Sequence, residues 1–276
     1  MAYLSSNKKI FAILLSFCLA SLAGCAKEQD ALLLAEQQKV EPADLVYNEA
    51  LANFDAGNYK EAAQKFSRVE EQHPLTEWAR KALVMETYSY YKGRMYNEVT
   101  SSADRYLASY DKSKDAPYVN YLQGLSYFYQ IPDITYDQTN AEKTITSFQN
   151  LIANYPKSEY VPEAKVKIRF AQSQLASKSM QVAKYYMSHK NYIAALKRYQ
   201  YLLETYPDSY LTEEALYRCV EINQTLGLSL EARTAAYVLG YNYPDSVWYK
   251  RAYDLLERFN VPMDVNKESW VYKLRK

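Results

Sequence analysis

The sequence predicts an all-α protein, folded as a right-handed superhelix of about five helix–turn–helix repeats with about ten helices. Two observations support this prediction. Glycine is scarce, with 6 among 276 residues, whereas the helix-forming residues Ala, Leu, Lys, Glu and Gln are frequent. An aromatic residue or histidine followed by proline recurs between amphipathic helical patterns, at Pro74, Pro156, Pro207 and Pro244. Proline cannot continue a helix but suits the start of the next one.

The residues upstream of Pro74, Pro207 and Pro244 share one register. Matching side chains stand 12, 8 and 5 positions before each of these prolines. Small residues at such positions let two helices approach closely, and large ones fill the space beside them. The pattern resembles the tetratricopeptide (TPR) signature and comprises Ala62, Phe66 and Val69; Ala195, Tyr199 and Leu202; and Ala232, Ala236 and Leu239.

The repeats can be placed along the chain from these landmarks. An inserted loop with Pro132, Asp133 and Asp137 should lengthen the third repeat. The fourth should begin with one long helix or two nearly collinear ones, because neither Gly nor Pro occurs at 163–189. Most of the 30 tyrosines are expected in the core and between repeats. The expected repeat ranges are 44–77, 78–115, 116–158, 159–210 and 211–260, followed by a tail at 261–276.

The N-terminus has the features of a lipoprotein leader. Lys8 and Lys9 precede the uncharged run 10–20, which is typical of a secretory signal and too short for a transmembrane helix. The following Leu-Ala-Gly-Cys resembles the lipobox of bacterial lipoproteins, which implies cleavage after residue 24 and an S-diacylglycerol and an N-acyl group on Cys25. Residues 25–43 would then be the lipidated cysteine and a linker. The alternative is a plain signal peptide with an incidental cysteine.

The sequence offers little for catalysis. No HExxH, CxxC, GxSxG or P-loop pattern occurs, so we expect no enzyme, cofactor or metal. His73 and His189 are best explained as turn or surface residues, and Cys219 as a buried, inert thiol. Asp133 and Asp137 form the one acidic pair of interest, and capping of the next helix explains it better than acid–base chemistry. A net charge of +1 gives no reason to expect a nucleic-acid partner.

Beyond generic TPR positions, five stretches carry a closer resemblance: HPLTEWARKALVMETYSYYK, YVNYLQGLSYFYQI, YPKSEYVPEAKVKI, VAKYYMSHKNYIAAL and YPDSYLTEEAL. With the lipobox, they resemble the BamD family, the lipoprotein subunits of the outer-membrane β-barrel assembly machinery. The resemblance covers roughly residues 41–258. It implies membership of the Bam complex, a BamA contact through the C-terminal repeats and the last POTRA domain, and an N-terminal groove for unfolded outer-membrane proteins. A family arginine at the BamA contact matches Arg198.

Localisation and the competing functions follow from the same features. Residue 26 is Ala rather than Asp, which favours lipid anchoring to the outer membrane on its periplasmic face. An alternative is another periplasmic TPR lipoprotein, such as a secretin pilotin or a cell-wall or division factor. A cell-wall hydrolase would need a buried acid that the sequence does not offer. The tail at 261–276 departs from the family pattern and could be partly disordered, pack on the last repeat, or bind a partner as a peptide.

Overall fold

The computed structural model describes residues 40–258 and 264–276, and the described chain is all-α, as predicted. Cys25 and the predicted cleavage site lie outside the described residues. Eleven α-helices and one short 3-10 helix are present in these ranges, and no strand. They are α1 (Ala43–Asp55), α2 (Tyr59–Gln72), α3 (Glu77–Lys92), α4 (Tyr96–Tyr110), α5 (Ala116–Tyr129), α6 (Thr139–Asn154), α7 (Val161–Ser188), α8 (Tyr192–Thr205), α9 (Thr212–Thr225), α10 (Ser229–Asn242), α11 (Val247–Arg258) and the 3-10 helix Tyr272–Leu274.

The chain forms two compact units, divided between Ala82 and Leu83. In the described part of the first unit, α1 packs against α2. The Tyr47 ring contacts the rings of Phe66 and Trp78, at centroid distances of 5.1 and 5.2 Å. These edge-on and tilted contacts are the geometry that aromatic pairs prefer, and they close the small core of this unit.

In the second unit, each helix from α4 to α10 packs against the next one along the chain, so the core runs as a series of helical pairs. The predicted long helix is a single element, because α7 runs without a break for 28 residues. An eleventh helix, α11, follows the predicted pairs and packs on α9 and α10. The described tail residues also lie on α10.

The residues that share one register before each proline are buried in the structure. All nine residues at 12, 8 and 5 positions before Pro74, Pro207 and Pro244 are at most 6% exposed. The same offsets hold before Pro156, where Thr144, Phe148 and Leu151 are fully buried. They also hold before Asp111, which stands where a proline would end the second repeat. There the buried residues are Val99, Ala103 and Tyr106.

The turn between repeats explains the Tyr-Pro-x-Ser pattern. The residue before each of the four prolines leaves the helix with φ between −127° and −140°, as the proline ring requires. The serine amide then donates to the carbonyl of the preceding tyrosine, as from Ser209 to Tyr206 at 3.0 Å. The serine hydroxyl accepts the amide two residues later, as from Leu211 at 3.2 Å. Each turn therefore ends one helix and positions the next.

The turns within four of the repeats share a left-handed residue. This position holds Gly57, Arg94, Lys190 and Gly227, with φ between 57° and 80°. The amide of the following residue donates to a carbonyl five positions earlier, for example from Asn191 to Tyr186 at 2.9 Å. This bond is part of the Schellman motif that ends many helices, and glycine is the residue best suited to its left-handed position.

Candidate interaction surface

Arg198 lies on the exposed face of α8. Ala195 and Tyr199, on the core side of α8, are fully buried. The backbone beneath Arg198 is tied to α7, because Ser179 Oγ donates to the Arg198 carbonyl at 3.3 Å. Among the described residues, no side chain forms an ion pair with its guanidinium. Arg198 is therefore free to meet a partner.

Two neighbours extend this exposed face of α8. Lys197 is exposed, and the Tyr201 side chain, one helical turn after Arg198, is 48% exposed. Tyr and Arg are the residue types that most often dominate the binding energy of protein interfaces. We call Lys197, Arg198 and Tyr201 the α8 face.

A polar network joins α7 to α9. Lys184 Nζ lies 2.9 Å from Glu214 Oε1, and Arg218 Nη2 lies 3.0 Å from the same oxygen. Arg218 also pairs with Glu221 at 2.7 Å. Burial alone would raise the pKa of the Glu214 carboxyl, but the hydrogen bonds from Lys184 and Arg218 outweigh it and hold that pKa below its ordinary value. The carboxylate is therefore charged and shared by two helices.

Aromatic rings extend this network towards α11. The Trp248 ring lies 5.3 Å from the Tyr217 ring, and the guanidinium groups of Arg218 and Arg251 lie 5.5 and 4.7 Å from its centre. Tyr217 also donates to Glu221 at 2.9 Å. Arg218 is already engaged by Glu214 and Glu221, whereas Arg251 lies over the Trp248 ring on an exposed part of α11, so this cluster combines aromatic rings with a cation.

A second aromatic cluster lies where the end of α5 meets the first residue of α4 and the first half of α7. The Phe128 and Phe170 rings meet edge to face at 5.2 Å, and Lys167 Nζ lies 4.2 Å from the Phe128 ring centre. Tyr129 stacks on Tyr96 with their centroids 5.9 Å apart. Tyr129 and Phe170 remain 51% and 46% exposed. We call Tyr96, Phe128, Tyr129, Lys167 and Phe170 the aromatic patch.

The remaining candidates take structural positions. Cys219 is buried, and burial raises the pKa of its thiol, so it is protonated at neutral pH. The ring nitrogens of His73 and His189 contact backbone carbonyls of Glu41 and Tyr185 at 2.7 and 2.8 Å.

The acidic pair of the inserted loop shapes the backbone. Asp133 accepts the amide and hydroxyl of Thr135 at 2.9 and 2.8 Å. Asp137 accepts the amide of Thr139, the first residue of α6, at 2.9 Å. These bonds lower the pKa of both carboxyls. Within residues 40–258 and 264–276, no cluster of three or more His, Cys, Asp or Glu could hold a metal ion, and no helix is long and apolar enough to cross a membrane.

Comparison with known proteins gives the family. Residues 39–239 match the YfiO family, described as outer membrane lipoproteins. The chain belongs to this family. The match covers all the helices from α1 to α9 and most of α10, so the repeats, the α8 face and the aromatic patch lie within the part that defines the family.

Two curated relatives of this chain have the same name, "Outer membrane protein assembly factor BamD". The relative from Caulobacter vibrioides is 37% identical, over 86% of this chain and 77% of that protein. The relative from Rickettsia prowazekii is 34% identical, over 86% of this chain and 93% of that protein. A solved structure, the TPR2AB-domain:pHSP90-complex of yeast Sti1, matches with a TM-score of 0.38 at 14% identity, covering 79% of this chain and 85% of that one. The fold assignment rests on the helix order and not on this likeness.

Sequence reasoning missed the surface role of many tyrosines. Tyr106 and Tyr199 lie in the core as expected, yet eight other tyrosines are between 38% and 73% exposed. They are Tyr129, Tyr136, Tyr185, Tyr201, Tyr210, Tyr237, Tyr241 and Tyr253. The helical period could have indicated this exposure. Tyr201 is two positions away from the buried Tyr199 and therefore falls on another face of α8.

Proposed function

We propose that this protein is a lipid-anchored, non-catalytic scaffold in the assembly and insertion of β-barrel proteins into the outer membrane. The observation that carries the proposal is family membership together with the curated relatives named as outer membrane protein assembly factors, at up to 37% identity over most of the chain. A rigid stack of helical pairs suits a scaffold, because each pair adds surface to a continuous binding face.

The anchor in this proposal is Cys25. Two lipid groups on one residue, an S-diacylglycerol and an N-acyl chain, hold a protein at a membrane far more firmly than one chain does. The 17 residues from 26 to 42 separate this cysteine from α1 and permit a reach of up to about 60 Å. That length lets the repeats work in the periplasm while the lipid stays in the outer membrane.

The partner contact in this proposal is the α8 face. Its Arg198, Lys197 and Tyr201 are exposed, and Arg198 has a bidentate donor group available for a carboxylate or backbone carbonyl. A folded periplasmic domain, such as the last POTRA domain of BamA, would bury this arginine at its centre. Other subunits of the Bam complex would join through further repeats.

The aromatic patch is the part that we assign to unfolded substrate chains. A transmembrane β-strand of a barrel alternates apolar and polar residues and carries aromatic residues near its ends. Such a strand, still unfolded, can stack its rings on Tyr129 and Phe170. Lys167 adds a cation beside the Phe128 and Tyr129 rings. Ring stacking tolerates many sequences, as a scaffold for diverse barrels requires.

The test is affinity purification of the full-length lipoprotein from membranes solubilised in mild detergent, followed by mass spectrometry. We expect near-stoichiometric recovery of a barrel protein with POTRA domains. Recovery of a secretin, or of cell-wall proteins without such a barrel, would overturn the assembly role and favour the pilotin or division-factor alternative.

A Cys25→Ser variant tests the anchor separately. We expect it to leave the membrane fraction and appear in the soluble periplasmic fraction, because the thiol that accepts the lipid is gone. Its purified repeats should still bind the partner in solution. A variant that stays in the membrane fraction after washing with urea, which also releases proteins held only by a membrane partner, would show that Cys25 is not the anchor.

A further inference from the structure

Residues 264–276, which we call the tail segment, lie along α10 and contact it at successive turns. Near the beginning of α10, Glu231 accepts hydrogen bonds from Asn266 and Ser269 at 2.7 and 2.5 Å. One turn later, the Thr234 hydroxyl accepts the Asn266 amide at 2.8 Å. Polar side chains of α10 are thus aimed at the tail segment, which lies about 30 residues further along the chain and is built of turns and the 3-10 helix.

Several of these bonds involve the main chain of the tail segment rather than its side chains. The Asn242 amide group donates to the Leu274 carbonyl at 2.9 Å and accepts the Lys276 amide at 2.8 Å. Arg233 Nε donates to the Asp264 carbonyl at 2.9 Å. Side chains that pair with a peptide backbone in this way fix the position of the docked chain, and the pockets for its side chains select which chain docks.

Apolar and ring contacts complete the docking. Val271 is 2% exposed and belongs to the core formed with α10, and Trp270 and Leu274 pack against that core. The Tyr272 ring stacks on Tyr237 at 5.9 Å with an angle of 9° between the planes. A buried anchor residue flanked by backbone bonds is the usual composition of a peptide-binding groove.

We propose that α10 carries a peptide-docking groove, and that the tail segment is the intramolecular ligand that closes it. The groove comprises the side chains of Glu231, Thr234, Tyr237 and Asn242, together with the apolar surface under Val271. When the tail segment leaves, the same groove accepts a peptide from outside that has the same turn conformation and a matching apolar anchor. The occupant in the resting protein is the chain's own tail.

There is a physical reason for the tail segment to close the groove on α10. The last repeat of a stack exposes an apolar face unless something polar caps it. An open groove with an apolar pocket and backbone-pairing side chains would bind other chains that carry an apolar anchor. The tail segment covers this surface with a polar outer side, on which Lys267, Glu268, Lys273 and Arg275 are exposed. The tail segment therefore both caps the last repeat and blocks the groove. This inference does not depend on the partner assigned to the α8 face.

The experiment uses the full-length chain with Val271→Asp and Leu274→Asp, which remove the apolar anchors of its own tail. The probe is a fluorescently labelled synthetic peptide of residues 264–276. We expect one peptide to bind per double-variant chain and at least tenfold weaker binding to the wild-type chain, whose groove is filled. Adding Asn242→Ala to the double variant should weaken peptide binding at least tenfold. A peptide with Val271→Asp is the matched control and should not bind.

Three outcomes would overturn the proposal. One is no peptide binding by a double variant that keeps wild-type helical circular dichroism. Another is a concentration-dependent wild-type dimer that the double substitution abolishes, since the tail would then dock on a second copy. If the double variant does not fold, amide hydrogen exchange of the wild-type chain decides instead. We expect the Asn266 and Lys276 amides to be protected and to exchange faster than those of α9. The third contrary outcome is that these two amides are unprotected, or that they exchange only with global unfolding.

Discussion

Lys184 Nζ lies 2.9 Å from Glu214 Oε1, and this ion pair joins α7 to α9 across the boundary of two repeats. The Glu214 side chain is only 14% exposed, so its charge is largely removed from water. Arg218 shares the same oxygen at 3.0 Å. A mostly buried carboxylate with two cationic partners contributes more to stability than an isolated surface pair, because hydrogen bonds from both cations compensate the desolvation of the carboxylate.

Glu214→Gln should therefore reduce the free energy of unfolding by about 1–2 kcal/mol at pH 7. The folded-state pKa of Glu214 is lowered, so its stabilisation is fully present above the unfolded pKa and disappears as pH falls through the folded value. The difference between wild type and variant should shrink below about pH 4. Urea titrations at pH 7 and pH 3.5 measure it. Glu257→Gln on the exposed face of α11 is the control, and an equal loss there would contradict the assignment.

The left-handed turn position gives a second prediction in two directions. Lys190 has φ 59° and Gly227 has φ 75° at equivalent sites. A side chain in this region costs about 1–2 kcal/mol relative to glycine. Lys190→Gly should therefore raise the free energy of unfolding by about 1 kcal/mol, and Gly227→Ala should lower it by a similar amount without a steric clash, since no atom lies within 4 Å of the added Cβ.

Thermal unfolding of the two variants, followed by circular dichroism, checks this prediction. Lys190→Ala is the matched control, because it removes the lysine side chain and keeps the left-handed strain. Its midpoint should equal that of the wild type. A gain as large as that of Lys190→Gly would mean that the lysine charge, and not the backbone, is responsible.

The turns also show where sequence reasoning reaches its limit. The residues at 12, 8 and 5 positions before proline were predictable, because burial repeats with the helical period and proline marks the phase. The left-handed residue of the second repeat was not predictable. Glycine is best suited to this conformation, yet Arg94 adopts it and the preceding Gly93 does not. Which of two adjacent residues adopts the left-handed conformation depends on where the helix ends. Helix propensity locates that end only to within one or two residues.

The candidate sites were predictable to different degrees. Arg198 could be placed on the exposed face of α8 because Ala195 and Tyr199 fix the phase of that helix. The contact of Lys184 with Glu214 could not, because it joins residues 30 positions apart and charged residues on exposed faces leave no periodic signal. The docking of Asn266 on Thr234 is equally hidden, since the tail segment has neither helical nor strand periodicity.

Gly124 gives a third prediction, in the core between α5 and α6. A Cβ at this position would overlap the Phe148 ring, which is fully buried. Overpacking of this kind costs about 1–3 kcal/mol, so Gly124→Ala should destabilise the protein by that amount despite the better helix propensity of alanine. Phe148→Leu in the same chain should recover part of the loss, because the shorter side chain makes room. Denaturant midpoints of the single and double variants test this, and additive losses would contradict the packing explanation.

The fourth prediction concerns the α8 face. Arg198→Ala should weaken binding of the purified POTRA domains of the partner barrel protein by about 30-fold, the loss expected when an interface hot spot worth about 2 kcal/mol is truncated. The unfolding midpoint should stay unchanged, because the side chain is exposed and makes no ion pair with a described residue. Arg68→Ala on the exposed face of α2 is the control and should bind as the wild type does. Surface plasmon resonance with immobilised POTRA domains measures both variants. Wild-type affinity in Arg198→Ala would exclude the α8 face from the contact, and an equal loss in Arg68→Ala would move the contact to the first unit.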